Sequence, residues 1–188
     1  GISYVKPAMS NLTALAVDGN GDIVVGSRTG VEALSAGGVR RSFRVDEPVR
    51  CLAVAPDGRI MVGLKEHIEV YGGDWSGRRE VWKSPDPKTE MTSIAVSSNR
   101  VYAADCVNRI VWKFALSGEL LGRVGDKDAE RRRSGFVVPS AFFDVAVAAD
   151  GSLWAANPGE HRLEHFTAEG GFLECWGRAS TEADGFCG

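Results

Sequence analysis

The sequence predicts an all-β fold built from a repeated unit of four short strands. The chain has 188 residues, of which 44% are hydrophobic, 25% are charged and 23 are glycine. This length suits one domain with its own hydrophobic core, and glycine exceeds its usual share of roughly 7%. Short apolar runs alternate with glycine-containing turns, and long helical periodicity is absent. These observations exclude a coiled coil, a collagen-like chain and intrinsic disorder.

An internal repeat is the strongest observation. The stretch 101–125 aligns without a gap with the stretch 153–177, and two earlier stretches, which begin at Leu12 and Arg50, match more loosely. An Ala-Val pair marks the same point of all four units, with spacings of 37, 42 and 51 residues. These pairs are Ala16-Val17, Ala53-Val54, Ala95-Val96 and Ala146-Val147. Self-similarity at such a period is typical of repeat proteins.

Each unit contains four predicted strands. The first is an almost unbroken apolar run, which is typical of a strand buried on both faces: LTALAV, CLAVA, TSIAV and FDVAV. A turn rich in glycine, asparagine and aspartate leads to the second strand, which has the sequence IVVG, IMVG, VYAA or LWAA. A polar loop precedes a third strand with alternating apolar positions, and a glycine turn precedes the fourth, clearest as ELLGRV and GFLECW.

Four antiparallel strands in every unit predict a β-propeller. We expect a single domain over 1–188 with about four blades, at 12–49, 50–90, 91–142 and 143–188. A β-sandwich is the alternative, but that fold needs no repeat of blade length.

The unit that begins at Phe143 has the most complete motif pattern. It contains Val-Ala-Val, Asp-Gly, Leu-Trp-Ala-Ala-Asn, His-Arg-Leu, Phe, Gly and Phe-Leu in that order, and the unit at Thr92 matches it with a shortened first hairpin. This pattern resembles the NHL repeat. The two N-terminal units lack the Asp or Asn that ends the second strand and the Arg before the third. The resemblance implies a propeller from about residue 12 to 188, and the family includes protein-binding, RNA-binding and enzymatic members.

Propellers of this family usually close a ring of about six blades, whereas this sequence shows four units. We therefore expect part of a larger propeller, because an open set of blades leaves a bare sheet edge. A closed ring of four blades and the association of two halves are the alternatives. The chain begins with Gly and shows no signal peptide, so its compartment is open; a secreted or periplasmic location after removal of a leader is one alternative.

Charge, apolar run length and cysteine spacing argue against several kinds of partner. The net charge of −3 disfavours nucleic-acid binding, and no apolar run is long enough to predict a membrane span. The four cysteines, at 51, 106, 175 and 187, have no metal-ligand spacing. We expect Cys51 and Cys175 to be buried in apolar strands, whereas Cys187 could pair with a cysteine outside this chain. No cofactor is predicted.

Strand order predicts where a binding site lies. The tight hairpins gather on one face of the blades, and the loops after the second strands gather on the other with the inter-blade connections; we call the latter the loop face. Loops bind ligands more often than the scaffold does. Ser27-Arg28 and Lys65-Glu66-His67 belong to this face. Its candidate ligand-binding residues are Asp105, Arg109, Asn157, His161, Arg162, Arg131, Arg132 and Arg133.

Each candidate has a structural alternative. In the NHL pattern, the residue at Asp105 and Asn157 commonly hydrogen-bonds the adjoining loop, and Arg109 and Arg162 bridge to a neighbouring blade. The run 131–133 offers fork-shaped donors for an anion, but three nearby carboxylates nearly cancel its charge, so a solvated loop is the alternative. The aromatic candidates are Trp75, Trp82 and Trp176, with core packing as their alternative.

We predict a non-catalytic scaffold that binds a protein, a peptide or another ligand through the loop face. No nucleophile, metalloprotease or phosphate-loop motif is present, and His67, His161 and His165 follow no metal-ligand spacing. The alternative is a propeller hydrolase or lyase with a metal in its central channel, for which only Asp105 and Asn157 are suitable ligands. RNA binding is a third, weaker alternative.

Overall fold

The computed structural model describes residues 5–130 and 133–180. These residues form sixteen β-strands and one short 3-10 turn, Pro158–Glu160, and no α-helix occurs among them. The strands form four separate four-stranded antiparallel sheets, and each sheet consists of four consecutive strands in sequence order. The described part of the chain has no helix of the length and apolarity that crossing a membrane requires.

We call the sheets blades 1 to 4. Blade 1 comprises β1 (Leu12–Val17), β2 (Ile23–Ser27), β3 (Gly30–Ser35) and β4 (Gly38–Arg44). Blade 2 comprises β5 (Cys51–Val54), β6 (Ile60–Gly63), β7 (His67–Tyr71) and β8 (Arg78–Lys83). Blade 3 comprises β9 (Met91–Val96), β10 (Arg100–Asp105), β11 (Ile110–Ala115) and β12 (Leu120–Val124). Blade 4 comprises β13 (Val145–Val147), β14 (Leu153–Asn157), β15 (Arg162–Phe166) and β16 (Phe172–Trp176).

The chain divides into two compact units, Gly1–Pro87 and Lys88–Gly188. The first unit contains blades 1 and 2, and the second contains blades 3 and 4. We call the face of a blade that packs on the following blade its downstream face, and the opposite face its upstream face. Within each unit, the core lies between the downstream face of one blade and the upstream face of the next.

The core of the first unit joins blades 1 and 2. Val24 and Val31 of blade 1 lie in one buried cluster with Leu52 and Ile60 of blade 2. Gly26 lies at the same interface, where an added Cβ would come within 2.6 Å of a Val49 methyl group. The glycine in the second-strand sequence IVVG is therefore needed for close approach of the two blades.

The core of the second unit contains more aromatic residues. Tyr102 and Val111 of blade 3 cluster with Leu153 and Phe166 of blade 4. Phe136, from the connection between these blades, lies in the same cluster, with its ring centroid 5.8 Å from that of Phe166. Part of the long connection between blades 3 and 4 therefore lies in the hydrophobic core.

Two burial predictions were wrong. The first strand of blade 1 is not buried on both faces, because Leu15 is 66% exposed and Val17 is 58% exposed. Cys175 is exposed, because it lies on β16, an edge strand whose hydrogen bonds reach only β15. Trp176, for which core packing was the alternative, is 57% exposed on the same strand. Cys51 is buried, as expected.

Substitution of Gly125 tests the packing of the core of the second unit. Its φ is +98°, and a Cβ would overlap the Phe136 ring at 1.9 Å. Gly151 has a φ of +85° with nothing within 4 Å of a Cβ. We expect Gly151→Ala to cost about 1–2 kcal/mol through backbone strain alone, and Gly125→Ala to cost roughly 2 kcal/mol more through overpacking. Urea unfolding of both variants measures this difference, and equal costs would show that Phe136 does not fill this space.

Candidate functional site

One position recurs at the loop end of the second strand in every blade. The strand registers make Ser27, Leu64, Asp105 and Asn157 equivalent, and all four side chains are buried. The polar members can only be stable there if their hydrogen bonds are satisfied within the protein. The contacts of each one therefore reveal what it holds in place.

Asp105 fixes the backbone around the loop after β10. One carboxylate oxygen accepts hydrogen bonds from the N–H groups of Val107 and Asn108, both at 3.1 Å, and of Glu90 at 3.2 Å. The other oxygen accepts from the Asn108 amide at 2.7 Å and the Trp112 indole at 3.0 Å. These bonds tie the backbone of the loop to the connection that enters blade 3.

Asn157 has the same role in blade 4. Its carbonyl oxygen accepts from the Val137 N–H at 2.9 Å, and its amide donates to the Glu164 carboxylate at 2.8 Å. Glu164 also accepts from the Arg162 guanidinium at 2.7 Å. Asn157 therefore holds the inter-blade connection, whereas Arg162 pairs with Glu164 of its own blade. The role of both as ligand-binding residues stays a prediction.

Arg133 belongs to this network as well. Its guanidinium donates to Glu164 at 2.8 Å and lies 4.2 Å from the centre of the Phe172 ring. The side chain is only 13% exposed, so its charge is paired inside blade 4 rather than offered to solvent. Arg131 and Arg132 lie outside the described residues.

Arg109 and His161 occupy equivalent turns. Each precedes the third strand of its blade and has a left-handed backbone, with φ of 57° and 52°. Arg109 is exposed and His161 is half-buried. Both side chains lie at the loop face, where a ligand could reach Arg109 directly.

Sequence reasoning missed a row of buried glutamates. Glu32, Glu69 and Glu164 occupy the same register position of the third strands in blades 1, 2 and 4, and Trp112 occupies it in blade 3. Each glutamate is at most 3% exposed. The signal was a charged residue that recurs between apolar neighbours in VEAL, IEVY and LEHF. Glu32 accepts from the backbone N–H of Ala8 at 2.9 Å, and so holds the segment before blade 1.

The loop face of the first unit contains an open pocket of about 420 Å³. Its lining consists of Thr13, Arg28, Pro48, Val49 and Arg50, and we call it the Arg28 pocket. Arg28 is exposed on the turn between β2 and β3, and no ion pair joins it to another described residue. The Ser27 hydroxyl accepts hydrogen bonds from the N–H groups of Thr29 and Gly30, both at 3.2 Å. The buried serine therefore also fixes the backbone of this turn.

The aromatic candidates differ in exposure. Trp82 is buried, and its indole donates to Glu80 at 2.7 Å. Trp75 is half-buried beside Phe43, and lines a second pocket of about 330 Å³ at the hairpin face. Trp176 is exposed. Sequence reasoning placed no pocket on the hairpin face.

The described residues also bring a serine, a histidine and a glutamate together in blade 4. The His165 Nε2 atom lies 2.8 Å from the Ser152 hydroxyl, and its Nδ1 atom lies 3.3 Å from Glu174. The Ser152 hydroxyl donates to the Asp150 carboxylate at 2.6 Å. Its proton is thus directed away from the imidazole, which is unlike the nucleophile of a hydrolase. No group of three metal-binding side chains occurs among residues 5–130 and 133–180.

No protein-family model matches the chain, and no curated protein matches it by sequence. Solved structures do resemble it. A streptogramin B lyase matches with a TM-score of 0.71 and 15% identity, over 93% of this chain and 57% of that one. Selenomethionine-substituted virginiamycin B lyase from Staphylococcus aureus matches with a TM-score of 0.70 and 13% identity, over 94% and 58%. A catalytically inactive variant of virginiamycin B lyase from the same organism, with quinupristin, gives 0.71 and 14%, over 93% and 58%.

At these identities the similarity shows the fold alone. Together with the four antiparallel sheets, it confirms the predicted all-β propeller of four-stranded blades. The chain spans less than two thirds of the length of these structures, with 57–58% covered.

The surroundings of Glu69 predict how low pH changes the free energy of unfolding of the first unit. Burial alone would raise the pKa of this carboxyl, but hydrogen bonds from the Tyr71 hydroxyl and the Arg78 guanidinium outweigh it, so the pKa lies below its ordinary value. A lowered pKa stabilises the folded state above the unfolded value, about 4.3, and this stability is lost as the pH falls through the folded pKa. We expect Glu69→Gln to show a smaller loss of unfolding free energy between pH 6 and pH 3 than the parent chain, measured by urea unfolding at each pH.

Glu119→Gln is the matched control, because Glu119 is exposed in the turn between β11 and β12. This variant should follow the parent's pH dependence. A Glu69→Gln curve parallel to that of the parent would contradict the interpretation of the Glu69 pair.

Proposed function

We propose that the chain is an NHL-like propeller scaffold that binds a ligand with acidic groups through its loop face. The observation that supports this most directly is the Arg28 pocket, in which two arginines lie beside a turn fixed by a buried serine. Guanidinium groups bind carboxylate and phosphate oxygens through paired hydrogen bonds. The ligand class is therefore a peptide, protein segment or small molecule with carboxylate or phosphate groups.

The rigidity of the loops supports binding as the task of this face. Ser27, Asp105 and Asn157 each use buried hydrogen bonds to fix loop backbone next to the surface. A surface whose loops are already ordered loses less conformational entropy when a ligand binds. Nucleic acid is a poorer candidate, because its row of phosphates needs an extended basic surface and the net charge of the chain is −3.

A lyase is the second candidate function. The resemblance to streptogramin B lyase and virginiamycin B lyase, with TM-scores of 0.70–0.71, favours it over other propeller enzymes. Fold similarity by itself is a weak guide to chemistry, since one fold supports many unrelated functions. The scaffold and the lyase differ in whether the bound compound is chemically altered before it is released.

A labelled peptide tests the Arg28 pocket. We expect a fluorescein-labelled hexaglutamate peptide to bind, with anisotropy that falls as salt is added. Arg28→Met should weaken this binding at least about fivefold, because one charge-assisted contact is lost. Arg40→Met is the matched control: it removes the same charge from an exposed side chain that pairs with Asp22 outside the pocket. Equal weakening by both variants, or no binding by the parent chain, would exclude the pocket as the site.

Quinupristin distinguishes the two functions. We expect chromatography to show this compound unchanged after incubation with the chain, in the presence and absence of added divalent cations. A trace-metal assay on the purified chain is run in parallel, and we expect no stoichiometric calcium or zinc. A new product that depends on the chain, or one bound metal ion per chain, would favour the lyase over the scaffold.

A further inference from the structure

The pocket beside Trp75 at the hairpin face, which we call the Trp75 pocket, is formed entirely within the first unit. Blade 1 contributes its first hairpin, at 18–20, and Arg41 of β4. Blade 2 contributes its first hairpin, at 56–58, and its second hairpin, at Gly73 and Trp75. The volume of about 330 Å³ lies in the range of small-molecule sites, which is roughly 300–1,000 Å³. The Trp75 pocket therefore has room for a small molecule.

Three aromatic rings hold the Trp75 side chain at this pocket. The Tyr71 and Phe43 rings stack at 3.9 Å, and the Phe43 ring lies 5.3 Å from that of Trp75, both measured between ring centres. The Trp75 backbone has a φ of 63°, a left-handed conformation that bulky residues seldom adopt and that clusters at ligand sites. The side chain is half-buried, and its indole N–H has no acceptor among the described residues. Part of the indole can therefore contact a ligand.

The polar side chains of blade 1 at the pocket have unused hydrogen-bonding capacity. The Oδ1 atom of Asp18 accepts from the N–H groups of Asn20 at 2.8 Å and Asp22 at 3.0 Å, whereas its Oδ2 atom accepts from no residue that the structure describes. The Arg41 guanidinium donates to the Gly73 carbonyl at 3.2 Å and has no carboxylate partner in the described part of the chain. A ligand can therefore bond to these groups without breaking an internal contact.

The charges at the pocket favour a neutral ligand. Asp57 is already paired with Arg59 through a hydrogen bond of 2.8 Å, so the charges left to a ligand are the Asp18 carboxylate and the Arg41 guanidinium. A cation is attracted to an aromatic ring such as that of Trp75, but here it would also meet the positive charge of Arg41. An anion would meet the negative charge of Asp18. A neutral molecule with several hydroxyl groups avoids both repulsions, because a hydroxyl donates to a carboxylate and accepts from a guanidinium.

We propose that the Trp75 pocket binds a sugar, that is, a neutral pyranose ring with several hydroxyl groups. The C–H bonds of such a ring are slightly positive and pack on the negative face of an aromatic ring, here that of Trp75. The hydroxyl groups donate to Asp18 and accept from Arg41, and the Asn20 amide can do both. An apolar contact with a few polar groups around it is typical of small-molecule sites. The proposal concerns the hairpin face and is independent of the ligand proposed for the Arg28 pocket.

Saturation-transfer-difference NMR with the full chain tests this site, because the method detects weak binding. The probes are methyl α-glucopyranoside, methyl α-mannopyranoside, methyl β-galactopyranoside and N-acetylglucosamine. We expect at least one of these sugars to receive saturation from the chain. Trp75→Leu should weaken its binding at least about tenfold, because the ring contact is lost. Arg41→Met should weaken it at least about fivefold, because a hydrogen bond to a charged group is lost.

Trp176→Leu and Arg44→Met are the matched controls. Trp176 is an exposed tryptophan of the second unit, and Arg44 is exposed at the end of β4, outside the Trp75 pocket. Both variants should bind the sugar like the parent chain. Circular dichroism of each variant shows whether it folds. Arg41 is exposed, so Arg41→Met tests the site even if Trp75→Leu does not fold.

Charged probes test the other classes of ligand in the same measurement. Choline chloride supplies a cation, sodium phosphate an anion and glycylglycine a molecule with both charges, and we expect none of them to displace the bound sugar at equal concentration. Four results would overturn the proposal: no saturation of any sugar, unchanged binding by folded Trp75→Leu or by Arg41→Met, loss of binding in either control, or displacement by a charged probe.

Discussion

Each blade has two apolar faces, and the need to cover both governs the rest of this structure. A four-stranded sheet is too thin to bury its own side chains, so its stability comes from the sheet against it. Where one blade covers the next, the fit is close enough that Gly26 and Gly125 have no room for a side chain. Where no blade covers the sheet, Leu15 and Trp176 remain in water. Tight cores and bare faces are thus consequences of one constraint.

Burial of the blade faces also explains the glutamate row and its partners. A carboxylate at this depth needs hydrogen-bond donors, because desolvation of an unpaired charge is very costly. Glu164 obtains its donors from Arg133, Arg162 and Asn157, and Glu69 obtains its donors from Tyr71 and Arg78. In the second unit, this requirement brings the connection before blade 4 onto the sheet and fixes its path.

The parts of the fold that could be predicted from sequence are those with local causes. Apolar runs and glycine turns place each strand and hairpin, and their repetition identifies the blade. Burial on an edge strand has no local cause, and for this reason Cys175 was predicted to be buried although it is exposed. Arg133 shows the same limit: its neighbours in sequence suggested a solvated loop, but its partner Glu164 lies 31 residues away. The pairing of distant charges depends on how the sheet folds, which neighbouring residues do not encode.

The same reasoning shows what a ligand at the Arg28 pocket must supply. The turn that contains Arg28 is fixed by Ser27, so the guanidinium is offered from an ordered backbone and the ordering cost on binding is small. An exposed arginine is nevertheless well hydrated, and a single ion pair with it gives only weak binding by itself. Selective binding therefore requires contact with Arg50 or with the apolar Val49 and Pro48 as well. A ligand with one acidic group beside an apolar group, as at the end of a peptide, can pair with Arg28 and contact the apolar residues within one pocket.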